Sequence, residues 1–268
     1  MTHKTIMIGL LRFSVLTPTY YSERFDTLDK VAEHLFSDDR MALRFRLFEK
    51  LCLPSLAGQT DPDFHCVVLT AETMPDVHKK RLETLLAPYP HITCRPVGTD
   101  RHYQLIKQGY KSVPTGDASH KILFRLDDDD AVDLGFVERT KRLAAGLLAL
   151  GNPDVPTAIS YNRGYYADLT GDSVDVFDAC ERAPLSTGTA LLAPVGFARN
   201  PYRYNHRALA QHFNLYSDIS VPGFIRTIHG DNKSRPTQMG ITRKQGDDVI
   251  NRNLKRHFAL SLTDLRAL

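Results

Sequence analysis

Four consecutive carboxylates, Asp127, Asp128, Asp129 and Asp130, follow directly on the apolar run Ile122-Leu123-Phe124 and Arg125-Leu126. Adjacent carboxylates repel one another, and strand residues alternate between faces, so such a cluster at a strand end is costly unless a cation neutralises it. A divalent metal suits the purpose. Mg2+ and Mn2+ prefer carboxylate oxygen and commonly take one or two protein carboxylates together with substrate phosphates. In open α/β sheets ligands bind beyond the carboxyl ends of the strands, which is where 127–130 fall if 121–126 is a strand. Other readings compete. A calcium loop would set Asp127 first and Glu138 twelfth, but its sixth position is Val132 instead of glycine. A solvated loop with charges favoured by a helix N-terminus suits Asp133. A hydrolase with an aspartate nucleophile lacks an accompanying loop signature.

The elements around the run are those of an α/β protein. Short apolar runs alternate with amphipathic stretches, the pattern of βα units feeding a mostly parallel sheet. The first strand lies within 6–17 and stops before Pro18, which lacks the N–H a central strand needs. The spacing predicts a helix over 40–56: Met41, Phe45, Phe48 and Cys52 form an apolar stripe, Leu43, Leu47 and Leu51 widen it, and Arg44, Arg46, Glu49 and Lys50 face away. Strands follow at 64–70 and 92–97. The helix between them opens at Pro75-Asp76, runs through Val77, Leu82, Leu85 and Leu86, and closes at Pro88. A helix over 101–110 precedes the strand that delivers the acidic run, and Asp133 caps the next helix, which ends at Gly151. Beyond Pro153 come strands at 158–166, 173–177, 189–193 and 224–229, a helix at 205–213 and a short amphipathic helix over 255–268. The second half is therefore richer in antiparallel structure.

With these elements in place, the string Phe124-Arg125-Leu126-Asp127-Asp128-Asp129-Asp130 resembles the DxD motif of GT-A glycosyltransferases. Ser14-Val15-Leu16-Thr17-Pro18-Thr19-Tyr20 is similar to the first strand and nucleotide loop of the inverting family 2 of that fold. Leu53-Pro54-Ser55-Leu56-Ala57-Gly58-Gln59-Thr60, followed by 64–69, is similar to its first helix end and second strand. More narrowly, 11–17, 125–131 and the late Ile228-His229-Gly230-Asp231-Asn232-Lys233-Ser234 resemble a bacterial rhamnosyltransferase family. The resemblance implies a GT-A fold: a mostly parallel central sheet flanked by helices, with a smaller antiparallel acceptor-side part. It implies one domain over 1–268, with a nucleotide-sugar-binding half over 1–133 and an acceptor-side half with the C-terminal helix over 134–268.

The resemblance also implies roles. Asp127 contacts the nucleoside side of the donor, Asp129 carries a Mn2+ or Mg2+ ion bridging the diphosphate, and Asp130 holds a metal-bound water. Asp128 is solvated or turned back toward Arg125. His229 is a further metal ligand, against the plainer reading of a surface histidine, and Lys233 and Ser234 meet the leaving phosphates. Thr17, Tyr20 and Arg101 line the nucleotide, unless Tyr20 is ordinary packing and Arg101 a solvated charge. Two departures matter. Only Glu72 stands near the end of the second strand, where an aspartate usually reads the base, and no acid pair follows 189–193 to act as general base. His206 is the candidate base because imidazole titrates near working pH, with Asp178, Glu181 and Asp218 as carboxylate rivals. The expected activity is metal-dependent, inverting transfer of a sugar such as rhamnose from a nucleotide-diphosphate sugar to a glycan or lipid-linked hydroxyl. A sugar nucleotidyltransferase is the rival enzyme, but 16–21 has no glycine for a phosphate loop; a carbohydrate- or nucleotide-binding module without turnover is the other alternative.

Bulk properties agree. A chain of 268 residues that is 42% hydrophobic can bury one substantial core. Lys+Arg 34 against Asp+Glu 31 leaves a net charge of +3, which argues against nucleic-acid binding, so any anion site is local. Cys52, Cys66, Cys94 and Cys180 are widely spaced and read as buried free thiols. No leader pattern and no run of about 18 apolar residues is present, so a cytoplasmic protein is expected. Peripheral membrane contact stays open, because an enzyme acting on a lipid-linked glycan need only touch the bilayer.

Overall fold

The computed structural model describes residues 3–231 and 240–268. The chain begins with β1 (Thr5–Arg12) and continues through α1 (Leu28–Leu35), α2 (Asp38–Leu47), α3 (Leu53–Ala57), β2 (His65–Ala71), α4 (Asp76–Leu86), β3 (Ile92–Val97), α5 (His102–Lys111) and β4 (His120–Asp127). After β5 (Ala131–Val132) and α6 (Phe136–Leu150) come β6 (Thr157–Tyr161), β7 (Arg163–Asp168), β8 (Asp175–Cys180), β9 (Ala190–Pro194), β10 (Asn214–Asp218), β11 (Phe224–Ile228), α7 (Asp247–Phe258) and α8 (Leu262–Arg266).

β1 and β4 are apolar without alternation, and each buries five consecutive residues. A strand covered on both faces belongs at the centre of a sheet between helical layers. They lie side by side there, in a seven-stranded sheet of order β10-β6-β9-β4-β1-β2-β3. The sheet is parallel except for β9, which runs antiparallel to both β4 and β6. A smaller sheet, β5-β11-β7-β8, is antiparallel apart from the β11–β7 pair. One strand expected over 158–166 is two, broken at Asn162, whose side chain donates to Glu181 O at 2.9 Å. Its first part joins the large sheet and its second the small one.

Phe124 joins the layers. Its ring lies against Gly9 on the neighbouring strand, where any Cβ would collide with it, and packs on Phe64 and Phe136 with centroids 6.2 and 5.1 Å away. Phe124→Ala is expected to lower the unfolding free energy by about 3–5 kcal/mol in urea titration. A loss within experimental error would show that the layers do not depend on this ring.

The helical stretch from α2 to α3 is continuous but contains a π-turn, Phe48–Cys52. Pro54, with no N–H to donate, stands where the α ladder resumes. Met41, Phe45, Phe48 and Cys52 enter the main core as the periodicity predicts, while Leu47 and Leu51 enter a second core with α7, α8 and the small sheet. Arg44 does not face away. It is 8% exposed, enclosed between the two apolar stripes. Three further details differ from expectation. Val77 is 69% exposed, since α4 covers the sheet with Leu82 and Leu86. α6 begins at Phe136, and Asp133 accepts from Gly135 N instead of capping directly. The C-terminal helix is two helices, broken at Ala259 in the left-handed conformation with φ 54°. No helix among the described residues is long and apolar enough to cross a membrane.

Candidate active site

The parallel register sets Arg12, the last residue of β1, beside Asp127, the last of β4. Their side chains form an ion pair at the point where the sheet runs outward in both directions. Crevices beyond strand ends at such a point are where open α/β sheets hold ligands. A pocket opens here, lined by Arg12, Tyr20, Arg40, Arg44, His102, Arg226, Asp231 and all four members of the acidic run, among others. The Arg12 guanidinium lies 5.0 Å from the Tyr20 ring centroid and 3.2 Å from His102 Nε2. Burial alone would raise the Asp127 carboxyl, but Arg12 and Arg125 outweigh it and hold it below the ordinary carboxylate range.

α2 contributes Arg40 and Arg44 one turn apart on a single face. Arg44 Nε donates to Asp128 Oδ2 at 3.0 Å and its Nη1 to Asp129 Oδ2 at 2.8 Å. Asp128 is thus neither solvated nor turned toward Arg125; it is 1% exposed and paired with Arg44. Arg40 reaches Asp231 Oδ2 at 2.7 Å and Ser14 Oγ at 2.9 Å. Ser14 takes a left-handed φ of 53° just beyond β1, an uncommon conformation for a residue with a Cβ, so the backbone bends where its hydroxyl meets Arg40. His34 Nε2 completes the cluster at 2.9 Å from Asp231 Oδ1.

β11 brings the distant partner. Its end delivers His229, whose Nε2 lies 2.8 Å from Asp129 Oδ2 across 100 residues of sequence. The Asp231 amide donates to His229 Nδ1 at 3.3 Å, which leaves the ring proton on Nε2, directed at Asp129. Asp129 is buried, yet Arg44 and His229 hold its carboxyl far below the ordinary range. Asp130 differs. Its oxygens accept from Thr187 Oγ1 at 2.5 Å and Thr227 N at 3.2 Å, and burial together with Asp129 pushes its carboxyl well up. One run therefore presents two carboxylates held ionised and one driven toward the neutral acid. The repulsion that marked 127–130 in the sequence is answered by arginine: among the described residues, four arginines line the pocket against five carboxylates.

Other expected site residues fall as follows. Thr17 is buried and donates to Asp100 O at 2.9 Å, and Tyr20 lines the pocket. Arg101 is exposed at the N-terminus of α5, outside the pocket lining, while its neighbour His102 enters it. Lys233 and Ser234 lie outside the described residues. Asp178 is not brought to the pocket: its Oδ1 accepts from Lys244 N and Gln245 N at 2.8 and 2.9 Å, anchoring the loop before α7. Glu181 accepts from Tyr166 Oη at 2.7 Å and Asp218 pairs with Arg139 at 3.4 Å, both away from the pocket lining.

His206 is likewise outside the pocket lining; it starts a 3₁₀ turn, His206–Gln211, within electrostatic reach of Asp127, Arg125 and Arg226, which line or adjoin the pocket. Burial, then the neighbouring arginines, lower its pKa from 6.5 to about 3. A histidine whose folded-state pKa is depressed contributes stability that is full above about pH 6.5 and is lost as pH falls toward about 3, at no more than ~1.4 kcal/mol per pH unit. The stability difference between wild type and His206→Gln should therefore shrink across that window in urea titrations. A difference constant from pH 7 to 4 would show that the imidazole is not held neutral.

These residues lie within a larger match. The family model described as "putative rhamnosyl transferase" covers residues 6–241, from β1 through the acidic run to His229 and beyond. The chain belongs to that family. The mostly parallel sheet flanked by helices, with a smaller and largely antiparallel sheet beside it, is the α/β architecture that the sequence implies. Among solved structures the chain is similar to S. aureus TarS 1-349, at 12% identity and a TM-score of 0.43, covering 83% of this chain and 60% of that one. It is also similar to S. aureus TarS 1-349 in complex with UDP, at 11% identity and a TM-score of 0.43, covering 96% and 73%. A structure described as a "putative glucose-1-phosphate thymidylyltransferase from Bacillus anthracis" matches at 11% identity and a TM-score of 0.37, covering 81% and 88%. The chain spans 60% of the length of the first of these structures and 44% of the longer TarS. Among curated proteins none matches the chain in sequence.

Of the groups that line this pocket, the sequence does not single out Arg12, Arg40, Arg44, Arg226 and Asp231. A signal for two of them was present: Arg40 and Arg44 stand four residues apart between the stripes 41/45/48/52 and 43/47/51. A cation enclosed by apolar neighbours on both sides requires a buried anion.

Proposed function

We propose that this family member transfers a sugar, with rhamnose the first candidate, from a nucleotide-diphosphate sugar to a hydroxyl of a glycan or lipid-linked acceptor, with inversion. The observation that carries the reading is the convergence of Arg44, Asp129 and His229 beside the Arg12–Asp127 pair at the strand ends. Arg12, Arg40 and Arg44 offer planar donors suited to phosphate oxygens, and Tyr20 and His102 supply ring surface for a nucleoside. Arg226 and Asp231, from the second half of the chain, line the same pocket as Arg12, Arg40 and Arg44 from the first.

Asp129 and His229 match a Mn2+ or Mg2+ ion in donor type, and His229 would bind it through Nε2 once the ring proton now directed at Asp129 is given up. Among the described residues no group of three such ligands is assembled, which is compatible with a site completed by substrate phosphates. Held there, the ion would supply Lewis-acid stabilisation of the departing diphosphate. Asp130 also lines the pocket, but its two oxygens accept from Thr187 and Thr227. His206 is the base in this reading: it is neutral, its Nε2 has no hydrogen-bond partner among the described residues, and a diphosphate near Arg125 and Arg226 would raise its proton affinity.

Calorimetry with a panel of nucleoside diphosphates, with and without Mn2+, followed by sugar-nucleotide hydrolysis, tests the proposal. Diphosphate binding strengthened by about tenfold or more with Mn2+, roughly 1.4 kcal/mol, is expected together with slow hydrolysis. Absence of diphosphate binding would overturn the donor assignment. Binding without hydrolysis or transfer would favour a binding module.

A further inference from the structure

A cavity of about 470 Å3 opens elsewhere, between α5, the start of β4 and the segment that follows β9, and shares no lining residue with the candidate active site. Four cations face it: Lys107 and Lys111, one turn apart on α5, Lys121 from β4, and Arg199. No carboxylate lines it among the described residues, and none of the four cations forms an ion pair there. Lys121 is half-buried, with Nζ donating to Val195 O and Phe197 O at 2.7 Å each. Burial and the nearby Lys111 hold its ammonium below the ordinary lysine range. Like charges gathered without a counter-charge repel, and an anion among them is favoured on that account.

The floor has a different character. Ile8 and Leu123 are 1% and 4% exposed at its base, with Val195 and Phe197 beside them. A free phosphate would use the cations and leave this apolar surface wet, and the volume is that of a site for a much larger ligand. We propose that the cavity binds an amphipathic phosphate, its headgroup among Lys107, Lys111 and Arg199 and its hydrocarbon chain along the half-buried Val113, Val195 and Phe197. The proposal does not rest on the transferase reading, because no residue is shared between the two sites.

Titration calorimetry of the full chain with dodecyl phosphate below its micellar concentration tests it, against inorganic phosphate and the uncharged dodecyl maltoside as probes. Dodecyl phosphate should bind at least about tenfold more tightly than either, since head and chain each contribute. The double variant Lys107→Glu/Lys111→Glu, at a half-buried and an exposed position of α5, should lose that binding by tenfold or more while keeping the wild-type melting temperature and diphosphate binding. Cosedimentation with phosphatidic acid vesicles separates the sources. Vesicle binding lost in the double variant supports the cavity and points to a bilayer lipid, whereas monomer binding without vesicle binding supports it and points to a single lipid phosphate. Equal affinity for inorganic phosphate, or dodecyl phosphate binding unchanged in the double variant, would overturn the proposal.

Discussion

Asp129→Asn is expected to reduce sugar transfer by about a hundredfold to a thousandfold, the scale on which loss of one preorganised electrostatic group at a developing charge is felt. The substitution keeps the shape of the side chain and removes its charge, so Arg44 retains Asp128 and the strand end stays in place. His229 keeps an oxygen acceptor, but the carboxylate now held far into its ionised form by Arg44 and His229 is gone. The loss should fall mainly on kcat if Asp129 acts on the departing diphosphate, and mainly on KM if it only orders the empty pocket. Steady-state kinetics at saturating Mn2+, with a melting curve to show that the fold persists, separates the two. Turnover within a few-fold of wild type would remove Asp129 from the chemistry and with it the metal assignment.

The same residue shows what the sequence could reveal. The acidic run was legible because four adjacent carboxylates have few inexpensive explanations, and the strand before them is apolar without alternation. The fold class was legible for a related reason: β1, β2 and β4 each read as short continuous apolar runs separated by amphipathic helices, a pattern that local periodicity alone exposes. The union of Asp129 with His229 could only be stated as a condition, because it depends on β11 pairing with β5 and β7, contacts separated by tens of residues. The arginines were less legible. Arg12 looks like the polar end of a strand until the register sets it beside Asp127, and Arg44 looks like a solvent-facing position until a second core closes over Leu47 and Leu51. A helix packed on two sides has no solvent face there. The surroundings of the carboxylate rivals for the base were illegible for another reason: Asp178 anchors a loop and Asp218 joins an ion pair, contacts that depend on residues 242–245 and on Arg139.

Arg44→Ala should lower stability by about 3–5 kcal/mol in the presence of EDTA, because it removes the arginine from buried Asp128 and leaves buried Asp129 with His229. Asp128 and Asp129 are 1% and 4% exposed, and neither can recover the loss by turning to water. Arg44→Lys should rescue little of it: Nε meets Asp128 while Nη1 meets Asp129, and a single ammonium cannot span both with that geometry. Mn2+ makes the prediction diagnostic. In wild type Arg44 already occupies Asp129 Oδ2, so the ion alone should move the melting temperature little until a nucleoside diphosphate draws the guanidinium to its phosphates. In Arg44→Ala the carboxylates are left to the metal, and Mn2+ at a hundred times its Kd should restore about 2.7 kcal/mol without any nucleotide. Melting curves of both proteins in EDTA and in Mn2+ decide the matter. A variant as stable as wild type in EDTA would mean that the carboxylates do not need Arg44. An unstable variant that Mn2+ leaves unchanged would mean that arginine, and not a metal, is the cation this acidic run was built to hold.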